Sequence, residues 1–479
     1  DRLYGASKDL SFNSLWYNLN GGAIESLTSN FSQWTMMSYV GRINYGLMDR
    51  YLLTASLRYD GSSRLSEGNK WALFPSAAIA WRITEEDFAK NLDWLSNLKL
   101  RFSYGQAGNT NSVSPYASEG TISGSVYYPF GTSTSVGNLP ANIANPMLTW
   151  ERTSEYNVGL DFGFLNQRIS GNIEYYNRTT NDLLMKRNIP VHLGYSSVTS
   201  NVGSVRNSGF ELQLNTANIV TKNFAWNTTI NLAYNKNEIV SLADEEDLSN
   251  YSIHLKGMRG RYSDKRFIGK PVDTNWTQNT IGVWQLGEEE EAAKYGCVPG
   301  NFKIKDYNND GKLTDDDYII DGKRTPDWTG GMTNMFKIYD FDFSFHMYFQ
   351  AGATQYDRFF ENFALEWNSQ NFNNLRTNYW TPENPSNTMG RPSQMGSRGN
   401  IAYERTDFLK VSYITLGYTL NKRLMSKWGL DNARIYVTVQ NPFILTKFRG
   451  LDPEQPDLTN IGDTDGMTMN ALLGVNISF

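Results

Sequence analysis

The strongest constraint on what this chain can fold into is a two-residue period that returns along its whole length. In "FAWNTTINLAYN" (224–235), Phe224, Trp226, Thr228, Ile230, Leu232 and Tyr234 share one face, while Ala225, Asn227, Thr229, Asn231 and Ala233 share the other. Successive side chains of a strand point to opposite sides, so this run is a ribbon with one greasy face and one wet face. The run "FDFSFHMYFQ" (341–350) sets Phe341, Phe343, Phe345, Met347 and Phe349 against Asp342, Ser344, His346, Tyr348 and Gln350, with Phe343 read as a mid-face position. Thirteen such segments are predicted, at 36–47, 50–60, 70–83, 98–106, 154–164, 168–178, 207–217, 224–235, 328–338, 341–352, 409–420, 433–441 and 470–479. Each approaches the ~9–11 residues with which a tilted strand crosses a bilayer.

The connections alternate in length. Short turns such as 165–168 and 339–340 separate some segments, and stretches such as 107–153, 236–327 and 353–408 separate others. Tight turns at one rim and long loops at the other are the habit of outer-membrane barrels. A soluble all-β protein is the alternative, but its apolar faces would need a second sheet or helices as cover, and the chain offers no obvious cover. No run approaches the ~18–20 continuous apolar residues of a membrane helix, which excludes a helical membrane protein and leaves a barrel open. The expected fold is therefore all-β, a transmembrane antiparallel β-barrel, with 14% aromatic residues and a mean hydropathy of −0.50 reflecting rings at the interfaces beside a wet interior.

Other chemistry finds little support. A net charge of −5 points neither to nucleic acid nor to an anionic membrane surface, and the single Cys297 excludes an intrachain disulfide. His192, His254 and His346 have no metal-ligand spacing, and His346 reads as a hydrogen-bonded residue of a polar strand face. No nucleophile elbow or phosphate loop occurs, so the chain is not read as an enzyme. Trp276, Trp284, Trp367, Tyr379 and Trp380 lie outside the strands, where they are candidates to face a substrate or partner.

Several blocks closely resemble the SusC/RagA family of TonB-dependent outer-membrane transporters. They include "RYLLTASLRYDGSSRLSEGNKWALFPSAAIAWRITEEDF" (50–88), "LKLRFSYGQAGN" (98–109), "NVGSVRNSGFELQL" (201–214), "DYNNDGKLTDDDYIIDGKRTPDWTGGMTN" (306–334) and "RIYVTVQNPFILTKFRGLDPE" (434–454). The resemblance implies a 22-stranded barrel, of which residues 1–479 would be the C-terminal part with about 13–14 strands, in the outer membrane of a bacterium. It also implies an N-terminal plug and a TonB-engaging segment, neither of which precedes these strands. Those parts, and the remaining strands, are expected from the upstream part of the same polypeptide or from a second chain, because open strand edges in lipid leave backbone groups unsatisfied. The function implied is energised import of an oligosaccharide or peptide with a SusD-like surface lipoprotein as lid; the alternative is a plugless scaffold or adhesin-type binding protein without transport.

Within the 236–327 loop, read as extracellular, "KDYNNDGKLTDDDY" (305–318) has the spacing of a calcium loop. Counting from Asp306, oxygen donors fall on Asp306, Asn308, Asp310, the Lys312 carbonyl and Asp317, with Gly311 at the sharp turn. Asp317 stands where helix–loop–helix sites usually place a bidentate Glu. An Asx-turn-rich loop without metal is the other reading, since Asp, Asn and Gly make turns unaided. A structural calcium would pin a long loop that is expected to have little core of its own, while Glu288–Glu291 reads as a solvated helix start.

Overall fold

The computed structural model describes residues 2–8, 23–189, 195, 197–365, 377–392, 397–421, 425, 429–456 and 467–479; His192 and Trp367 lie outside them. Thirteen strands form one antiparallel sheet in which every strand pairs with its sequence neighbours. They are β1 (Met36–Leu47), β2 (Tyr51–Ser62), β3 (Trp71–Arg82), β4 (Leu95–Asn109), β5 (Glu151–Phe164), β6 (Ile169–Asn181), β7 (Ser204–Val220), β8 (Phe224–Ser241), β9 (Trp328–Ile338), β10 (Phe341–Ala351), β11 (Phe408–Thr419), β12 (Asn432–Thr446) and β13 (Asn470–Ser478). Every predicted segment coincides with one of them. The sheet edges are β1 and β13.

Register turns the two-residue period into two continuous surfaces. One row across the sheet pairs Leu53 with Ile79, Phe102, Val158, Tyr175, Phe210, Tyr234 and Trp328, strand by strand. One residue along, on the other face, Arg101 pairs with Gly159, Glu174, Glu211, Ala233 and Thr329. A slip of one residue in any pairing would carry a phenyl ring into the wet row, so the pattern itself fixes the register. Much of the greasy face stays open: Ile79, Phe102, Val158, Ile173 and Tyr175 are each about half-exposed, as expected of a surface whose solvent is lipid. Polar groups on that face are satisfied internally, as where the Asn334 side-chain oxygen accepts from Trp226 Nε1 at 2.9 Å and Thr228 Oγ1 at 2.7 Å.

The connections obey the alternation. β1–β2, β5–β6, β7–β8 and β9–β10 are joined by turns of two to four residues, several built on left-handed residues such as Met48, Asp49, Asn166 and Tyr339. Five longer connections, 110–150, 182–203, 242–327, 352–407 and 447–469, leave and return at the opposite rim. Phe343 sits just beyond the Tyr339–Asp340 turn, so the mid-strand position on its face is Phe345, not Phe343 as the alternation alone suggests.

Two expectations about the long loop are corrected. β8 runs on to Ser241, past the expected end at 235, because its overhang is paired: Ser204 lies opposite Ser241 on β7, Ile239 N–H donates to the Lys270 carbonyl, and Gly269 N–H donates back to Ile239. The loop proper is therefore 242–327, and it is not poor in core. Leu248, Leu255, Tyr262 and Phe267 form one apolar cluster, and Trp284, Ala292 and Cys297 form another. A third joins this loop to 352–407 through Val283, Phe302, Phe360, Trp380 and Met389. The long connections thus make a folded mantle, stapled by short ribbons such as Thr274–Gln278 with Tyr318–Lys323 and Thr354–Tyr356 with Tyr403–Arg405.

Candidate functional site

The wet wall is organised by charge networks that reach across strands. On its face, Arg101 of β4 grips Asp161 of β5, with Nη2 to Oδ1 at 2.8 Å and Nε to Oδ1 at 3.0 Å, and Lys99 adds a contact at 2.6 Å. Arg101 also spans β5 to meet Glu174 of β6 at 2.8 Å. Gly159 stands between them in register, and a Cβ there would lie 2.9 Å from Arg101 Nη2, so the glycine is the gap through which the guanidinium reaches. The same device recurs at Gly417 of β11, where Arg434 of β12 crosses to Asp342 of β10 with Nε to Oδ1 at 2.8 Å. Only residues that alternate onto one face, with glycine on the strand between, permit such reach. Between these networks the wall holds a recess of about 450 Å³ lined by Asn172, Glu174, Glu211, Gln213, Asn231 and His346. His346 stands on the polar face as expected, its Nδ1 2.9 Å from Thr333 Oγ1.

In the mantle, the 305–318 loop closes on its own carboxylates. Asp306 Oδ2 accepts from Gly311 N–H at 2.9 Å and from the Tyr295 hydroxyl at 3.0 Å, and Oδ1 accepts from Asn309 N–H at 2.6 Å. Burial alone would raise the Asp306 carboxyl, but these donors outweigh it and hold it below the usual carboxylate range. Asp317 is fully buried and accepts from Tyr307 N–H at 2.8 Å and Thr314 N–H at 2.9 Å. Asn308 and Asp310 are exposed, with Asp310 Oδ1 accepting from Lys312 N–H at 2.8 Å. Gly311 takes φ +77°, the left-handed turn its position requires. Among the described residues, no three His, Cys, Asp or Glu side chains gather as a metal-holding group. Glu288–Glu291 lead into the short helix α1 (Glu289–Lys294), with Glu288 paired to Lys303 at 2.8 Å.

The loop aromatics divide. Trp284 and Trp380 are buried in the mantle clusters, Tyr379 packs against the third, and Trp276 is partly open. Sequence reasoning missed Asp357, which nothing in its neighbourhood signals. It is fully buried, its Oδ1 accepting from Phe360 N–H at 2.9 Å and its Oδ2 without a partner among the described residues. Burial pushes its carboxyl up to about 6.

A sheet that is greasy outside, wet and charge-laced inside, and capped at one rim by folded loops defines the wall of an outer-membrane β-barrel. Residues 1–441 match the family model for the TonB-dependent receptor-like β-barrel, and the chain belongs to that family. It is 35% identical to TonB-dependent receptor SusC of Bacteroides thetaiotaomicron over 93% of this chain and 44% of that protein. It is 33% identical to TonB-dependent receptor P26 of Formosa agariphila over 95% of this chain and 47% of that protein. The chain thus spans a little under half the length of these relatives. Among solved structures, the RagAB peptide importer in its open-open state superposes with a TM-score of 0.78 at 24% identity, covering 96% of this chain and 49% of that one, which shows the same fold.

Proposed function

We propose that this chain is the C-terminal barrel sector of an energised importer, working with a plug and TonB-engaging segment carried elsewhere and with a SusD-like surface lipoprotein seated on the mantle. The likeness to SusC across nearly the whole chain carries this reading. The wet wall supports it, since a passage for polar cargo needs side chains that exchange hydrogen bonds with it, and the recess around Asn172, Gln213 and Asn231 offers them. The cargo class is an oligosaccharide or a peptide; RagAB is described as a peptide importer. The lipid bilayer is the partner of the greasy face, and nothing in the charge distribution invites nucleic acid.

The 305–318 loop is proposed to take a structural calcium ion through Asp306, Asn308, Asp310, the Lys312 carbonyl and Asp317. Its donors fit a hard cation: carboxylate, amide and carbonyl oxygens with a left-handed glycine at the turn. Bound there, the ion would neutralise the clustered carboxylates and stiffen the loop.

The test is accumulation of labelled oligosaccharides and peptides by cells carrying the full-length polypeptide, with TonB present or deleted, alongside mass spectrometry of the native complex. TonB-dependent accumulation with a co-purifying surface lipoprotein is expected. Absence of any plug-bearing polypeptide or partner, together with absence of uptake, would favour a scaffold or adhesin.

A further inference from the structure

At the loop end of the greasy face lies a groove of about 1050 Å³ that no role above uses. Its floor is one register row: Phe349 of β10 pairs with Leu409 of β11, and Leu409 pairs with Leu445 of β12. Leu409 and Leu445 are exposed, so the row continues the lipid-facing wall and not the mantle core. Three neighbouring strands at ~4.8 Å spacing make a floor about 10 Å across, wider than a single acyl chain.

Depth decides what meets the upper end of the groove. Phe345 lies at mid-strand, and Phe349 stands four residues nearer the loops, about 10 Å higher for ~3.4 Å per residue at a tilt of roughly 35–45°. An apolar band about 25 Å tall ends about 12 Å from its middle, so Phe349 sits in its upper fringe and the next row falls among headgroups. That row is charged. Lys447 follows Leu445 by two positions, Asp407 precedes Leu409 by two, Arg405 lies just beyond, and all three line the groove.

The acids at this level are already engaged. Asp407 accepts from Gly352 N–H at 2.7 Å and pairs with Arg405 Nη2 at 2.6 Å, while Glu404 holds Arg449 and Glu454 holds Lys410. Lys447 is exposed and forms no ion pair among the described residues. Two cations against one carboxylate leave an excess positive charge directly above an apolar floor. The apolar hollow near the other rim ends differently, on the Glu86 carboxylate, which accepts from the Tyr51 hydroxyl at 2.7 Å and from Trp81 Nε1 at 3.0 Å.

We infer that the groove is a binding site for a phosphorylated, multiply acylated glycolipid of the outer leaflet. Its acyl chains would lie on Phe349, Leu409 and Leu445, and its phosphate would meet Lys447 and Arg405, an ammonium and a guanidinium that both suit phosphate oxygens. The leaflet follows from the rim, since the long loops of outer-membrane barrels are extracellular and the outer leaflet there is built of such glycolipids. The width of the floor suits more than one chain. The site rests on lipid meeting the greasy face and is independent of what cargo the barrel passes.

The experiment is native mass spectrometry of the full-length polypeptide, delipidated and reconstituted in phosphatidylcholine nanodiscs. Separate preparations are doped with a hexa-acylated monophosphoryl glycolipid of the lipid A type, with the same glycolipid lacking phosphate, and with phosphatidylglycerol. At least tenfold greater retention of the phosphorylated glycolipid than of either comparator is expected. The double variant Arg405→Ala/Lys447→Ala should lose tenfold or more, Lys447→Arg should keep most of the binding, and Lys294→Ala, on the mantle helix α1, should retain lipid as the parent does. A heat-shift check of the barrel on gels separates lost binding from misfolding. Equal retention of the glycolipid without phosphate, equal retention of phosphatidylglycerol, or a folded double variant that binds like the parent would each overturn the site.

Discussion

The barrel wall and the mantle above it were built by different physics. In the wall, each residue's side is dictated by a neighbour two positions away, and lipid on one face against water on the other enforces it across all thirteen strands. In the mantle, order comes from contacts far apart in sequence: Asn275 to Thr354, Val283 N–H to the Asn387 side chain, Trp380 Nε1 to Gln285. The wall is a periodic object and the mantle a small globular one.

Changes that put charge on the greasy face should separate the two regions most sharply. Phe345→Arg, at mid-strand against Phe336 and Phe343, is expected to destabilise the wall by about 2–4 kcal/mol, whereas Phe343→Arg, beside the turn, should cost about 1 kcal/mol or less. Urea titration of the folded barrel in vesicles reads both; equal costs would mean the face has no depth gradient and is not in lipid.

The wet face should respond to geometry more than to polarity. Gly159→Ala places a methyl against Arg101 Nη2 and should weaken the span to Glu174, costing about 1–3 kcal/mol. Glu174→Gln should lower that penalty in the double variant, since the lost contact is the same one; additive effects would show that the glycine serves something else.

The mantle carries a pH dependence of its own. Asp357 has a folded-state pKa of about 6, above the roughly 4 of an unfolded aspartate, so the folded mantle holds an extra proton between those values. Its contribution is fully present below about pH 4, is lost as pH rises to about 6, and is flat above. Protease resistance of 352–407 should therefore fall between about pH 4 and 6, and Asp357→Asn, which keeps the Oδ1 contact to Phe360 N–H, should flatten the profile. An unchanged slope in that variant would assign the effect to another group.

The calcium loop should give the smallest effect, because the mantle clusters hold most of the loop without it. Chelator is expected to open 305–318 to protease while leaving 242–304 protected, and Asp306→Ala should abolish the difference between calcium and chelator. A loop equally resistant in both conditions would point to an Asx-turn loop that binds no metal.

The sequence made the wall legible because strand alternation is local: Phe224, Trp226 and Ile230 announce their shared face within seven residues. It also signalled that His346 belongs on the polar side. The mantle escaped that reading for a physical reason. Its core residues, such as Leu248, Phe267, Val283 and Trp380, recur at no period, and they meet through pairings tens of residues apart, so a 236–327 segment with a real core read as a bare loop. Gly159 and Gly417 were visible as glycines, yet their role as gaps depends on which arginine stands on the strand beside them and which carboxylate on the strand beyond.

The most direct test of the wall is collision accessibility of spin labels in the full-length polypeptide reconstituted in lipid. Labels at Phe102→Cys and Val158→Cys should collide freely with oxygen and rarely with a water-soluble nickel chelate, and labels at Glu211→Cys and Asn231→Cys should do the reverse. Water accessibility at both sets of positions would contradict a barrel wall with lipid on one side and a wet passage on the other.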